Sequence, residues 1–338
     1  MEKLSIDEVA KLAYVSRSVV SRVLNDHPNV SDEARERVLE VVEKYNYRPS
    51  SVARGLATNQ SYEIGILAPR RCDEALANGF WSLLHLGIFE ECIQQGYYVS
   101  MSPISSDLES DIEEYVLDNK RLDGFILLTQ EVTDVVANKL ADRDIPLVLV
   151  GHGPANPNLV SVDVDNFAGA YKATNHLIEL GHRDIGIMLA DLDMQEAADR
   201  FTGYKKAHED AGITVQEDII STGDYSQQNG YDTMMGWINE RDDLTAVFCT
   251  GDTLAMGALS ALNAENISVP DEMAVVGFDD LPFAQYTIPS LTTVKQPITK
   301  KGKWAANLLI NQIEDKDGQV VHENLEPELI VRESCGAN

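Results

Sequence analysis

SIDEVAKLAYVSRSVVSRVLN, residues 5–25, spaces its apolar side chains for two short helices joined by a tight turn. Ser5 followed by Glu8 has the capping-box spacing that opens a helix, and Ile6, Val9, Ala10 and Ala13 then share one face. Ser16 stands where a second N-cap belongs, ahead of an apolar stripe of Val19, Val20, Val23 and Leu24. Helices this short bury little alone, so a third must close the core. Ser31-Asp-Glu opens it, with Ala34, Val38, Leu39, Val41 and Val42 expected to point inward. The second helix is polar on its outer side, where it carries Arg17, Ser18, Ser21 and Arg22. Three small helices with an arginine-bearing second one describe a helix-turn-helix reader of DNA. A helical cap on a larger domain is the alternative at this point.

The charge distribution bears directly on that reading. The chain of 338 residues carries a net charge of −28, which opposes contact with phosphate. Residues 1–60, however, hold nine Lys or Arg and nine Asp or Glu, so the whole excess lies beyond them. Phosphate contact is local, within a Debye length of about 8–10 Å, and a distant acidic body weakens it little. Composition is that of a soluble globular protein, 44% hydrophobic and 24% charged. No apolar run approaches the ~20 residues of a membrane span. The start, MEKLSIDE, has no apolar signal region, so a cytoplasmic location is expected. Cys72, Cys92, Cys249 and Cys335 are too scattered for a zinc site or a disulfide framework, and no metal or cofactor is implied.

Residues 45–61, YNYRPSSVARGLATNQS, form a connection in which Pro49 ends the third helix and Ser50 and Ser51 can cap a brief helix. Leu56 suits a wedge pushed between base steps in the minor groove, or else packs on the body. From Tyr62 onward, short apolar runs alternate with amphipathic helices. EIGILAP, DGFILLT, PLVLVGHG, VSVDVDN, DIGIMLA, AVFCTGD and MAVVGFDD read as strands, and segments such as DIEEYVLDNKRL as helices. Such alternation builds parallel sheets wrapped by helices. The series divides near residue 160, giving two doubly wound α/β subdomains with a cleft at the carboxyl ends of their strands.

At this point IDEVAKLA–VSRSVVSRVLN, VSDEARERV, YNYRPSSVARGLA, VDVDNFAGA, HLIELGHRDIGI, RFTGYKKA, VFCTGD–LAMGAL and VPDEMAVVGFDDLPFAQYTIPSLTTV together resemble the LacI/GalR transcriptional repressors over essentially the full chain. The resemblance implies an N-terminal all-α helix-turn-helix domain at 1–47 and a hinge helix and linker at 48–61. It implies a periplasmic-binding-protein-like core at 62–338, with one subdomain about 62–161 and 292–322 and the other about 162–291 and 323–338. Arg17, Ser18 and Arg22 match positions that reach base edges, and Arg22 can fork onto a guanine. Ser16, Ser21 and Asn25 are expected to fix the phosphate backbone, Ser5 is a further DNA-binding candidate, and Ala53 and Leu56 are expected to open a central base step. Two residues depart from the pattern: Tyr14 stands in the turn where Gly is usual, and Val19 where Thr is usual.

For the effector, the resemblance singles out Arg200, Asp252 and Asp279 as polar contacts, with Phe80, Trp81 and Tyr225 as aromatic faces. Carboxylates accept the paired hydroxyls of a sugar and arginine donates in a planar fork, which suits a polyol. Asp279 alternatively caps the following turn, and Phe80 and Trp81 alternatively belong to the core. Gly151 and His152 replace a ligand-contacting aspartate, and Gly251 replaces Asn or Ser, which implies a cleft with fewer polar groups and more space. The expected function is therefore repression of carbohydrate-utilisation genes, modulated by a small sugar or glycoside. A purine, nucleoside or protein corepressor is the alternative within regulation, and a solute-binding transport protein the alternative outside it. Absence of GxGxxG, P-loop, HExxH and GxSxG motifs speaks against an enzyme. One reader covers one half-site, so a homodimer on a near-palindromic operator is expected. The chain ends in ELIVRESCGAN without heptads, so a tetramer is not.

Overall fold

The computed structural model describes residues 4–24, 28–45, 47, 60–69, 79–104, 122–128, 134–151, 156–241, 243–314 and 321–337. The chain divides into two compact units, Met1–Tyr62 and Glu63–Asn338.

The first unit contains α1 (Ile6–Leu12), α2 (Arg17–Leu24) and α3 (Asp32–Lys44). The capping box forms as the spacing predicts: Glu8 N–H donates to Ser5 Oγ at 3.3 Å, and Ser5 N–H donates to Glu8 Oε2 at 2.7 Å. Ser31 caps α3, its hydroxyl accepting from Ala34 N–H at 3.4 Å. Val9, Ala10, Ala13, Val20, Val23, Val38 and Tyr47 make the core, with Val19, Val41 and Val42 packed around it. Leu39 corrects the expected stripe, since it is 48% exposed. On a 3.6-residue period Ala34, Val38, Val41 and Val42 share a face, and Leu39 lies about 100° away from Val38. The departures at Tyr14 and Val19 now have physical meaning. Tyr14 holds φ 54°, the left-handed backbone that glycine adopts freely, and exposes its ring. Val19 exchanges a hydroxyl for packing against the core.

The second unit contains two six-stranded sheets. The first uses β1 (Glu63–Pro69), β2 (Tyr98–Ile104), β3 (Gly124–Leu128), β4 (Leu147–Val150), β5 (Val160–Val164) and β11 (His322–Leu325), in the order β11-β5-β4-β3-β1-β2 and all parallel. The second uses β6 (Ile185–Ala190), β7 (Ile220–Gly223), β8 (Ala246–Cys249), β9 (Ala274–Asp279), β10 (Thr292–Lys295) and β12 (Glu328–Ile330). Its order is β12-β10-β9-β8-β6-β7, parallel except for β12 against β10. Between strands run α4 (Gly79–Gln94), α5 (Asp134–Ala141), α6 (Asn166–Glu179), α7 (Gln195–Asp210), α8 (Gln227–Glu240), α9 (Asp252–Ala264) and α10 (Ile298–Ile313). Strands β3, β4 and β8 are buried at every position, as strands covered on both faces must be. Helices α4 and α10 touch backbone to backbone: a Cβ on Gly87 would collide with the Thr299 carbonyl, and one on Gly302 with that of Leu84.

Among the described residues the chain passes between the two sheets three times. These passages fall after β5, after β10 and after β11. They refine the expected subdomain boundaries, because β10 pairs with β9 and β11 with β5. Residues 292–295 therefore belong to the second sheet, and 162–164 and 323–325 to the first. The helix expected over DIEEYVLDNKRL and the hinge helix lie outside the described residues.

Candidate functional site

In the first unit α2 buries Val20 and Val23 and turns Arg17, Ser18 and Arg22 outward, with Ser21 half-buried beside them. On a 3.6-residue period Arg17, Ser21, Ser18 and Arg22 fall within an arc of about 140°, opposite buried Val20 and Val23. Arg17 lies 3.9 Å from Asp7, an exposed ion pair that leaves the guanidinium in solvent. Ser16 and Ser18 share a hydrogen bond of 2.8 Å between their hydroxyls. Ser5 is occupied by its cap, and Glu8 is held below its usual pKa by the backbone and side-chain hydrogen bonds of Ser5. Asn25, Ala53 and Leu56 lie outside the described residues.

In the second unit the polar site is centred on Arg200 of α7, a buried guanidinium. Its Nε donates to Asn166 Oδ1 at 2.9 Å, and Nη1 donates to the Thr250 carbonyl at 2.5 Å and the Tyr225 hydroxyl at 3.3 Å. The group lies 3.9 Å from the Phe278 ring centroid, a cation–π contact in a desolvated place. Nη2 has no hydrogen-bond partner among the described residues. Arg200 and Tyr225 thus come together.

Asp279 ends β9 with φ 123° and is followed by Asp280 at φ 57°. Neither conformation is easy for a side-chain-bearing residue, and such strain persists only where the surroundings enforce it. Arg332 holds Asp280 at 2.6 Å, and Gln296 Nε2 donates to Asp279 Oδ1 at 2.6 Å. Burial pushes Asp279 up to about 6, against the pull of Arg200, the Gln296 hydrogen bond and, more weakly, Lys301. Its carboxyl therefore titrates near neutrality.

Asp252 stands differently. It is fully buried, with Oδ2 accepting from Leu281 N–H at 2.7 Å and Oδ1 from the Thr293 hydroxyl at 2.5 Å. Burial first, and neighbouring Asp279 second, raise its pKa well above the carboxylate range. The side chain ties α9 to the loop after β9 and to β10, which replaces the expected ligand contact. Trp81 likewise turns inward, 8% exposed, with its ring edge-on to Phe80 at 5.4 Å. Phe80 is half-buried, with the Lys301 ammonium 5.9 Å from its ring. The space expected above Gly251 is occupied, because a Cβ there would come within 3.0 Å of the Tyr225 ring.

Three further groups were not singled out as site residues by the sequence, although Asn166 lies within the VDVDNFAGA stretch. Asn166 donates to Asp163 Oδ2 at 3.3 Å while accepting from Arg200. Lys301 forms a buried ion pair with Asp163 at 2.6 Å. Gln296 is buried, and its Oε1 lacks a partner among the described residues. Asp163 lies within the VDVDN stretch, but no sequence signal joins it to Lys301, 138 positions away.

Residues 5–50 match the family of bacterial regulatory proteins, lacI family, and residues 174–335 match a periplasmic binding protein-like domain. A relative called HTH-type transcriptional repressor PurR, from Haemophilus influenzae (strain PittEE), is 34% identical over 336 residues, 98% of each chain. The chain belongs to the lacI family. It is a DNA-binding transcriptional repressor of that family, and its relatives are repressors rather than enzymes. Among solved structures it is similar to a transcriptional regulator CelR–cellobiose complex, with 30% identity and a TM-score of 0.76 over 98% of this chain and 100% of that one. It is also similar to the lac repressor dimer bound to operator and the anti-inducer ONPF, with 26% identity and a TM-score of 0.81 over 99% and 100%. Among the described residues no helix is long and apolar enough to cross a membrane.

Proposed function

We propose that this repressor acts in the cytoplasm as a homodimer on a near-palindromic operator controlling carbohydrate-utilisation genes. A small sugar or glycoside bound beside Arg200, Asp279, Tyr225 and Phe80 changes its operator affinity. Arg17, Ser18 and Arg22 read base edges, Ser16 and Ser21 hold phosphate, and Asn25, Ala53 and Leu56 complete the contact.

The observation that carries the effector reading is Asp279. A carboxyl in strained backbone, aligned by Gln296 and within the charge of Arg200, whose Nη2 has no partner among the described residues, offers an acceptor and a donor at one spot. Adjacent ring hydroxyls donate to the one and accept from the other. Tyr225 and Phe80 add apolar faces for the ring. Similarity over nearly the full chain to a regulator solved with cellobiose supports this reading.

A purine effector is the second reading, favoured by 34% identity to proteins called PurR. A thermal-shift screen of mono- and disaccharides, with purine bases included, separates the two. A ligand at about 100 times its dissociation constant adds about 2.7 kcal/mol of stability. Saccharide shifts that vanish in Asp279→Ala are expected. Shifts from purine bases alone would replace the carbohydrate reading, and an undiminished shift in Asp279→Ala would move the ligand elsewhere.

A further inference from the structure

Lys301 sits in the first turn of α10 with only 5% of its surface exposed, an expensive place for an ammonium. Its Nζ is 2.6 Å from Asp163 Oδ1, at the carboxyl end of β5. It also lies 5.9 Å from the Phe80 ring centroid. Its charge reaches both Glu196 and Asp279, drawing each toward the ionised form. The ammonium therefore faces the same region as Arg200 and Asp279, from the side of the first sheet.

The connection is explicit in hydrogen bonds. Asp163 accepts from Lys301 on one oxygen and from Asn166 on the other, and Asn166 accepts from Arg200 Nε. The series Lys301–Asp163–Asn166–Arg200 runs from α10, packed on β3, β4 and β5, to α7, which follows the second sheet's β6. It spans the first passage of the chain between sheets. The other passage in reach, after β10, carries Gln296, whose buried Oε1 has no partner among the described residues. A fold that needed only stability would fill the Lys301 position more cheaply with an apolar side chain, because replacing a buried ion pair by hydrophobic residues is often neutral or stabilising.

We propose that Lys301 and Asp163 form a second donor–acceptor pair of the effector site and determine its specificity. The pair binds adjacent hydroxyls on the part of a saccharide that faces the first sheet, opposite the part held by Arg200 and Asp279. Lysine has three donors and a carboxylate about four acceptor positions, so their mutual bond leaves both able to engage a ligand. The pair supplies the polar character that Gly151 and Gly251 withhold. The inference rests on the carbohydrate reading and deepens it, because two charged pairs on opposite sides select polyols with hydroxyls at both ends over small ligands with one.

The test uses the full chain and isothermal titration with cellobiose and ribose, followed by the remaining saccharides of the screen. Lys301→Met leaves Asp163 buried and unpaired, so the double variant Lys301→Met/Asp163→Asn, which removes both charges, accompanies it. For each saccharide that binds the wild type, both variants are expected to bind at least 30-fold more weakly. Lys301→Arg should restore part of that loss. A disaccharide should lose more than a monosaccharide. Affinities within threefold of wild type in the double variant would overturn the proposal while leaving the carbohydrate reading intact. A wild type that binds none of the saccharides would remove the reading, and the pair's role with it. A variant that only melts earlier, with its affinity unchanged, would reduce the pair to a structural one.

Discussion

Replacing Arg200 by Met removes the donors that organise the site while retaining most of the side chain's length. Asn166 Oδ1 and the Thr250 carbonyl belong to residues 2% and 0% exposed, so water does not readily replace the lost donors. Each orphaned acceptor costs about 1–3 kcal/mol. The stacking on Phe278 at 3.9 Å adds up to about 2 kcal/mol. Against these losses, methionine spares the several kcal/mol spent in burying a guanidinium. The net expectation is a destabilisation of about 2–4 kcal/mol, seen as a melting temperature lower by about 2–4 °C per kcal/mol in a domain of this size. A second readout concerns Asp279, whose charged form Arg200 favours more than any other group does. Without it, the Asp279 carboxyl should titrate above about 6, as followed by carboxyl carbon-13 NMR. Arg200→Lys should keep that titration near its wild-type position yet still lose the fork's stability, because an ammonium cannot reproduce planar donors. An Arg200→Met protein with unchanged melting and unchanged Asp279 titration would refute this arrangement.

Further outcomes follow from three particular residues. Asp279 has a folded pKa raised to about 6, so its protonated form is favoured in the native state and its contribution to stability falls as pH rises from about 4 to about 6. Saccharide affinity should run the other way and be about tenfold weaker at pH 5 than at pH 7 by titration calorimetry, since hydroxyl donors need the carboxylate. Tyr14→Gly, at φ 54° and 85% exposed, should stabilise the first unit by up to about 1 kcal/mol in chemical denaturation; a loss of stability would mean the ring has a packing role. Arg22→Ala should cost about 1–3 kcal/mol of operator affinity and relax preference at one base pair per half-site, as read by anisotropy with operator variants; a uniform loss across sequences would make it a phosphate contact instead.

Much of this architecture is legible in the chain because its signals are local. The Ser5–Glu8 box, the Ser31 cap and the strand–helix alternation each depend on residues within a few positions of one another. Leu39 escaped because a run of apolar residues on a helix does not say which member falls off the stripe. At the site, the family resemblance rather than spacing singles out Arg200, which lies within α7, and Asp279, which ends β9. Asp252 shows the limit of such reading. Its position after β8 is as expected, but whether a carboxylate there turns outward or beneath Gly277 depends on Thr293 and on the loop at Leu281. Lys301 reads as one more solvated lysine beside Lys300 and Lys303 until its distant partner Asp163 is in place. Pairings of this kind arise from topology, which carries α10 back to the first sheet after β10 has joined the second.

The central claim is that a saccharide bound at Asp279 and Arg200 controls the grip of α2 on operator DNA. Anisotropy of a labelled operator, at fixed salt, with and without the saccharide that shifts the melting of the wild type, tests it most directly. The expected result is a change in operator dissociation constant of about 5- to 150-fold, the range of a coupling of about 1–3 kcal/mol. That change should be absent in Asp279→Ala, whose sugar-free operator affinity matches the wild type. Equal operator binding with and without every saccharide, together with a response to a purine base, would contradict it.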